Sequence, residues 1–252
     1  MNRSHWRALK WVLILWGSIL AVSAQAKELR FVTGDAFPPF TDRDIAGGGI
    51  VTEIVRTVFE RAGYETVTII WRSWLKGYEL TAEGNVDGTF PYAFTRTRAK
   101  SVLFSDPITS LKAYGWYSRN GASFDDKVDL LGKSLCLPLG YAELGYAGRL
   151  FGNGQAKRVS PPDMKTCFKL LDAGRVDSVI SPIPEALGAI QAAGLPFDDF
   201  GHIEEGLSDM PLHFIVGKNN ADAAKIIADF NVGLLQLRQS GELASILATA
   251  EY

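Results

Sequence analysis

Basic side chains crowd one short stretch of the chain. Residues 95–107 read TRTRAKSVLFSDP, in which Arg96, Arg98 and Lys100 are followed by an apolar strand-like patch and a turn. Three chemistries suit such a run: a patch for nucleic acid, a solvated surface, or a single arginine that holds an anion. A guanidinium group donates two parallel hydrogen bonds to one carboxylate, so the last of these predicts a site for a small organic acid.

The sequence contains no recognisable catalytic or metal-binding motif. The sequence has no H-E-x-x-H, no G-x-S-x-G, no glycine loop for phosphate and no cluster of metal ligands. Beyond residue 26 its only histidines are His202 and His213. We therefore predict no catalytic residue, no metal and no cofactor, although the lack of a motif does not exclude an activity.

The first 26 residues have the features of a cleavable export signal. Arg3, Arg7 and Lys10 precede an apolar run at residues 11–22, and residues 24–26 form an A-x-A cleavage site. The apolar run is too short for a comfortable transmembrane helix. We expect residues 1–26 to be a signal peptide and the protein to be periplasmic, and an uncleaved N-terminal anchor is the alternative.

The charge balance argues against a nucleic-acid patch. The chain has 26 Lys and Arg residues against 28 Asp and Glu residues, and the predicted signal holds three of the 26 and none of the 28. The other 226 residues therefore have a net charge of −5, which disfavours nucleic acid and anionic membranes as partners. Arg96 and Lys100 are then expected on a solvated surface.

Two cysteines follow the predicted signal, and both are expected in a core. Cys136 lies in a short apolar strand, and Cys167 shares a predicted helix face with Met164, Phe168 and Leu171. An oxidising compartment favours a disulfide between them, which would close a loop of roughly 30 residues and contribute about 3–4 kcal/mol. Two separate buried thiols are the alternative.

Strands and helices alternate in two consecutive units. The predicted strands lie at residues 27–35, with a loop at Gly34, and at residues 65–71, 86–90, 133–138, 176–181 and 212–217. The predicted helices lie at residues 50–61, 74–82, 141–151, 160–171 and 221–252, the last broken at Gly241. This order predicts an α/β fold of two lobes, each a mostly parallel sheet flanked by helices.

Short phrases follow one another along the chain in a distinctive order. They are PPF at residues 38–40 before a glycine-led helix, G-x-V-D at 84–87, T-x-x-R at 95–98, F-S-x-P at 104–107, G-R-V-D at 174–177, and G-K at 217–218 before a helix that runs into G-x-L at 241–243. This order resembles the family-3 periplasmic solute-binding proteins, the receptors of polar amino acid ABC importers. The resemblance covers essentially all of the chain after residue 26.

The resemblance implies a type II periplasmic binding fold with a ligand cleft. Lobe 1 would comprise residues 27–108 plus 213–252, and lobe 2 would comprise residues 109–212. Crossover segments near residues 106–111 and 210–214 would form the hinge about which the lobes close. The ligand would bind between the lobes, at the carboxyl ends of parallel strands.

The resemblance also implies roles for individual residues. Arg98 corresponds to the arginine that clamps a ligand carboxylate in the family, and Thr95 would add a hydroxyl or backbone donor. Phe37 and Trp74 occupy positions where relatives place apolar or aromatic side chains against the ligand, although both can equally be core residues. Asp35 lies near a position that contacts distal basic groups in some relatives, but the loop here is one residue shorter.

Three positions depart from the family's pattern for a free α-amino acid. Ser181 stands where relatives have the aspartate that binds the α-ammonium group, Ala93 replaces a serine or threonine, and Tyr141 replaces a threonine that helps hold the carboxylate. We expect Ser181 and Tyr141 to lie in the ligand site. Glu143 or Glu185 can supply the missing charge, but surface helix positions explain both glutamates better.

The sequence thus predicts a monomeric periplasmic receptor that captures a small carboxylate-bearing solute for an inner-membrane ABC permease. The solute is an amino acid or a related organic acid, and the departures favour a plain or bulky acid. Two other classes remain as alternatives: a small-acid-processing enzyme on the same fold, related to cyclohexadienyl dehydratase, and a sensory or accessory ligand-binding module.

Overall fold

A mixed β-sheet flanked by helices forms the fold in the computed structural model, which describes residues 28–249. The predicted signal peptide lies outside the described residues. None of the helices in residues 28–249 is both long enough and apolar enough to span a lipid bilayer.

The N-terminal part of the chain alternates strands and helices as predicted. Its elements are β1 (Glu28–Thr33), α1 (Ile50–Arg61), β2 (Thr66–Trp71), α2 (Trp74–Ala82) and β3 (Gly88–Ala93). β1 pairs in parallel with both β2 and β3. Because Ile54, Val55, Val58 and Phe59 form one fully buried face of α1, this helix packs onto the sheet.

The rest of the chain supplies a second set of alternating elements and two long strands. They are β4 (Val102–Ser118), β5 (Ser134–Cys136), α3 (Gly145–Gly152), β6 (Lys157–Val159), α4 (Met164–Asp172), β7 (Ser178–Pro182), α5 (Ile183–Ala193), β8 (Phe200–His202), β9 (Ser208–Gly217), α6 (Ala223–Gln239) and α7 (Glu242–Ala248). β5 pairs in parallel with β6 and β7.

Two antiparallel strands join the halves of the sheet. β4 pairs with β9 from Val102 opposite Gly217 to Ala113 opposite Ser208. From Ala113 to Trp116, β4 also pairs with β7, and from Trp116 to Ser118 it pairs with β8. The sheet order is therefore β2-β1-β3-β9-β4-β7-β5-β6, with β8 at the far end of β4.

Three local predictions differ from the structure. The turn expected within TRTRAKSVLFSDP is wrong, because residues 104–107 belong to β4, whose pairing shifts register on both sides of Pro107. Proline has no N–H for the ladder, and the bulges accommodate it.

The helix expected from Ser160 begins instead at Met164. The Asp163 side chain caps it and accepts a hydrogen bond from the Thr166 N–H at 2.7 Å. The helix expected from residue 141 begins at Gly145.

The buried apolar side chains form separate clusters on the two sides of the β4–β9 crossing. One cluster draws on residues between 29 and 108 and between 212 and 243, and it includes Phe31, Phe59, Phe214 and Phe230. Two further clusters use residues between 113 and 207. This division is compatible with two lobes, whose limits stay a prediction.

The predicted disulfide between Cys136 and Cys167 is present. It joins the end of β5 to α4, and both residues are completely buried. Met164, Phe168 and Leu171 share the buried face of α4 with Cys167, as the sequence spacing predicts. The bond therefore fastens α4 to the sheet from inside the core.

Removal of this disulfide should destabilise the protein by about 3–4 kcal/mol, because it frees a loop of 31 residues in the unfolded chain. Urea unfolding of the Cys136→Ala/Cys167→Ala variant would measure this loss. The wild-type protein under reducing conditions is the matched control, since it opens the loop but keeps both sulfur atoms. An unfolding midpoint unchanged by reduction would contradict the expectation.

Candidate functional site

A cavity of about 60 Å³ lies where the two halves of the sheet meet. Its volume leaves room for several water-sized groups. Its walls are mainly apolar and aromatic, and Arg98 and Glu185 are the charged side chains among them. The lining residues are Phe37, Trp74, Pro91, Tyr92, Ala93, Arg98, Ala113, Leu137, Gly140, Tyr141, Ala142, Leu144, Ala147, Ile180, Pro182, Glu185, Ser208, Met210 and Leu212.

The topology places this cavity at the ends of parallel strands. β3 ends at Ala93, β5 is followed directly by Leu137, and β7 ends at Pro182. All three residues line the cavity, so chain segments that leave the carboxyl ends of these strands enclose it. Such crevices outside strand ends are the usual ligand sites of open α/β sheets.

Arg98 crosses the cavity from one wall to the other. It lies in a short 3-10 helix after β3, and its backbone N–H donates to Thr95 Oγ1 at 3.1 Å. Its Nη1 donates to the Ala93 carbonyl at 2.8 Å and its Nη2 to the Gly140 carbonyl at 2.7 Å. A guanidinium group has five N–H donors, and these two bonds account for two of them.

The guanidinium group of Arg98 stands over tyrosine rings rather than against a carboxylate. Its central carbon lies 4.9 Å from the Tyr92 ring centroid and 5.9 Å from that of Tyr78. Burial lowers the pKa of Arg98, but an arginine stays charged at any physiological pH. Among the described residues, no carboxylate forms an ion pair with it. An anionic group in the cavity would complete its pairing.

Glu185 is the second charged residue of the cavity, and the prediction of a surface position for it is wrong. It lies in the first turn of α5, and none of its surface is exposed. Its carboxylate accepts hydrogen bonds from Ser181 Oγ at 2.8 Å and from the Tyr141 hydroxyl. Glu143, by contrast, is exposed and pairs with Arg158.

The surroundings of Glu185 shift its ionisation towards neutral pH. Burial disfavours the charged form and raises the pKa of Glu185 to about 7, although the bonds from Tyr141 and Ser181 oppose the shift. Burial and the neighbouring charge of Glu185 raise the pKa of Tyr141 well above its ordinary value, so its hydroxyl stays a donor. Glu185 can therefore gain or lose a proton near neutrality.

Aromatic rings form one wall of the cavity around Trp74. Its ring meets those of Phe37, Tyr92 and Tyr141 nearly edge-on, with centroids 5.8, 5.7 and 6.2 Å away. The Tyr92 hydroxyl donates to the Trp74 carbonyl at 2.5 Å. Gly34 makes room for this ring, because a Cβ there would lie 2.2 Å from it. The wall thus offers a broad apolar surface to a ligand.

The structure brings together most of the residues that the sequence singled out. Arg98, Phe37, Trp74 and Tyr141 line the cavity. Thr95 and Ser181 are not among the lining residues, but they form hydrogen bonds with Arg98 and Glu185, respectively.

Asp35 is not among the lining residues and pairs instead with Arg43. Sequence reasoning passed over Tyr92 and misplaced Glu185. Glu185 lies three residues after the end of a buried strand, but that position alone does not distinguish it from an exposed glutamate in the first turn of a helix.

The chain belongs to the bacterial extracellular solute-binding proteins, family 3, whose model matches residues 29–249. Solved structures of similar fold include an ancestral arginine-binding protein bound to arginine, at 22% identity and a TM-score of 0.76, covering 89% of this chain and 98% of that one. The family match confirms the predicted family, and the similar structures confirm the type II periplasmic binding fold.

Two other similar structures belong to proteins with different roles. A histidine kinase sensor domain has 21% identity and a TM-score of 0.74, covering 88% of this chain and 95% of that one. An ancestral amino acid-binding protein, a precursor of cyclohexadienyl dehydratase, has 20% identity and a TM-score of 0.72, covering 88% and 94%. At these identities the likeness shows the fold alone. No curated protein is detectably similar to the chain in sequence.

The ionisation of Glu185 should make the stability of the protein depend on pH. The folded state holds this proton up to about pH 7, whereas an unfolded glutamate releases it near the ordinary value of 4.5. The contribution of Glu185 to the free energy of unfolding therefore falls by about 3 kcal/mol as the pH rises between these two values. Thermal unfolding of the wild type and Glu185→Gln should show the variant gaining relative stability from pH 5 to pH 8. A difference that is constant with pH would contradict the raised pKa.

Proposed function

We propose that the protein is a periplasmic receptor that captures a small carboxylate-bearing solute and delivers it to an ABC permease of the inner membrane. Membership of the solute-binding family supports the binding role. The observation that carries the ligand class is Arg98: a partly buried guanidinium group at an apolar cavity, with no carboxylate partner among the described residues. A ligand carboxylate would accept its remaining donors and neutralise its charge.

The shape of the cavity supports a ligand with an apolar or aromatic body. The walls around Trp74 and the aliphatic residues Leu137, Ile180 and Leu212 can contact such a body. Apolar area removed from water contributes about 25 cal/mol per Å² to binding, and Arg98 fixes the orientation. The solute is therefore an acid with a compact hydrophobic part.

Closure of two lobes would enclose the solute. With lobe 1 at residues 27–108 plus 213–252 and lobe 2 at residues 109–212, the bond from Arg98 Nη2 to the Gly140 carbonyl joins the lobes. The crossover segments near residues 106–111 and 210–214 lie within β4 and β9, the two strands that run between the halves of the sheet in residues 28–249. Bending at these segments would open the cleft. The receptor acts as a monomer, exported through the signal at residues 1–26.

Arg98→Ala should weaken ligand binding by more than about 100-fold, because two charge-assisted hydrogen bonds to the carboxylate are lost. Native mass spectrometry of the purified protein would identify a retained ligand. Isothermal titration with that acid, or with a panel of amino acids and organic acids, would then measure the affinity. Arg98→Lys should recover only part of it, since lysine keeps the charge without the planar fork.

Arg96→Ala is the matched control for this variant. Arg96 lies two residues away and is exposed, so its removal should leave affinity unchanged. Circular dichroism would show that both variants fold. Wild-type affinity in a folded Arg98→Ala protein would remove Arg98 from the site and refute the proposed ligand class.

An acid-processing enzyme is a second candidate, and Glu185 is the observation that favours it. A carboxyl group with a pKa of about 7 can donate a proton to a bound substrate at neutral pH. Incubation of the protein with each bound acid, followed by mass spectrometry of the small molecules, separates the two functions. A receptor returns the acid unchanged. An enzyme converts it, and the Glu185→Gln variant should not.

A further inference from the structure

One loop of the chain contacts both charged residues of the cavity. This segment, residues 137–143, follows β5 and is called the cavity loop below; its Gly140 and Tyr141 line the cavity. The Gly140 carbonyl accepts the hydrogen bond from Arg98 Nη2 at 2.7 Å, and the Tyr141 hydroxyl donates to Glu185. The position of the cavity loop therefore determines whether these contacts can form.

The cavity loop fits closely against the opposite wall. Gly140 has a φ of +85°, and a Cβ there would lie 2.8 Å from the Leu75 nitrogen and 3.1 Å from Trp74 Cβ. The loop thus passes directly over the start of α2. A hydrogen bond of 2.7 Å that lengthens by about 1 Å is lost, so a small displacement of the loop would break the bond from Arg98.

Backbone bonds anchor the cavity loop through its N–H groups. The Leu137 N–H donates to the Val159 carbonyl at 3.0 Å, and the Leu139 N–H donates to the Pro161 carbonyl at 2.9 Å. The Tyr141 N–H closes a turn onto the Pro138 carbonyl at 3.2 Å. These bonds leave the carbonyl oxygens of Leu137 and Tyr141 to be paired from elsewhere, because a backbone carbonyl that is withdrawn from water needs a donor.

Arg158, in β6, supplies that donor from outside the cavity, since it is not among the lining residues. Its Nη2 lies 3.0 Å from the Pro138 carbonyl, a bond of ordinary length, and 3.4 Å from the carbonyls of Leu137 and Tyr141, which are long contacts. Its Nη1 pairs with Glu143. The planar guanidinium group therefore connects four residues of the cavity loop.

We infer that Arg158 is a positioning residue of the ligand site: it holds the cavity loop where Gly140 and Tyr141 meet Arg98 and Glu185. This inference rests on the proposed function, because a displaced loop is felt as a loss of ligand affinity. Arg158 acts through the loop and not by contact with the solute.

Arg158→Met tests this role, because methionine keeps an apolar stem beside Phe151 and removes every donor. The probes are L-leucine, L-phenylalanine, 4-methylpentanoate and 3-phenylpropanoate, and the one that the wild type binds most tightly serves for all variants. Isothermal titration, at a temperature where circular dichroism shows a folded variant, should give affinity lower by about tenfold or more. A merely structural role would lower the unfolding midpoint and leave this affinity unchanged, which would overturn the inference.

Three further variants make the comparison specific. Lys157→Met is the matched control, because Lys157 is the exposed neighbour of Arg158 in β6, and it should bind as the wild type does. Arg158→Lys should recover part of the affinity, since it keeps the charge beside Glu143 but lacks the planar fork. Glu143→Gln should weaken binding by less than about threefold, because this ion pair is partly exposed.

Hydrogen exchange of the ligand-free protein separates failure of this inference from failure of the proposed function. In Arg158→Met the bonded amides of Leu139 and Tyr141 should exchange about tenfold faster or more, and those of α1 should not change. Unchanged exchange in the cavity loop would overturn the inference, whatever the affinities are. If the wild type binds no probe, or if Arg98→Ala binds normally, the proposed ligand class fails and exchange alone decides the role of Arg158.

Arg158→Lys keeps the test decisive if Arg158→Met does not fold. Its cavity loop should still exchange faster than that of the wild type, because one ammonium group cannot reach all the acceptors that the guanidinium group connects. Wild-type exchange and wild-type affinity in a folded Arg158→Lys protein would then refute the positioning role.

Discussion

The pairing of β4 with β9 is the interaction on which the rest of the structure depends. These two strands continue from one half of the sheet into the other, and their ladder from Val102 to Ala113 joins the two halves. Each half needs it: β9 borders β3 on one side, and β4 borders β7 on the other. Because the parallel strands on both sides end near this crossing, their carboxyl ends face one another and the cavity forms between them.

The same arrangement withdraws one charged side chain partly and another completely from water. Arg98 and Glu185 lie at an apolar cavity, where an unpaired charge costs several kcal/mol. The two residues meet this cost differently. Arg98 remains charged and uses backbone carbonyls and the face of Tyr92, whereas Glu185 is held near the point of neutralisation by burial. Carbonyl oxygens stabilise a cation only partly, so a ligand anion remains the better partner for Arg98.

Much of the fold could be predicted from the sequence, because it depends on local patterns. The apolar faces of α1 and α6 and the inward direction of Cys167 follow from helical spacing. The burial of Cys136 follows from its short apolar strand, and the break at Gly241 follows from the glycine itself. β4 could not be predicted in the same way. Ser105, Asp106 and Pro107 are turn formers locally, and only the non-local ladder with β9 keeps them extended.

The candidate site shows the same limit at the level of single residues. Arg98 could be found because its spacing from Thr95 is local and matches a family phrase. Glu185 could not, since a glutamate on a helix is exposed far more often than buried. Its burial results from contacts distant in sequence, chiefly with Tyr141, 44 residues earlier.

The two departures at Ser181 and Tyr141 acquire one physical explanation in this arrangement. Both side chains donate hydrogen bonds to Glu185, so both hydroxyls support a carboxylate that lies four residues after residue 181. An aspartate at residue 181 would place a second negative charge beside Glu185, and two neighbouring carboxylates cannot both ionise readily. A neutral hydroxyl at residue 181 is therefore the side chain that lets Glu185 ionise. The serine at residue 181 and the buried carboxylate of Glu185 therefore have one electrostatic explanation: the site holds a single carboxylate.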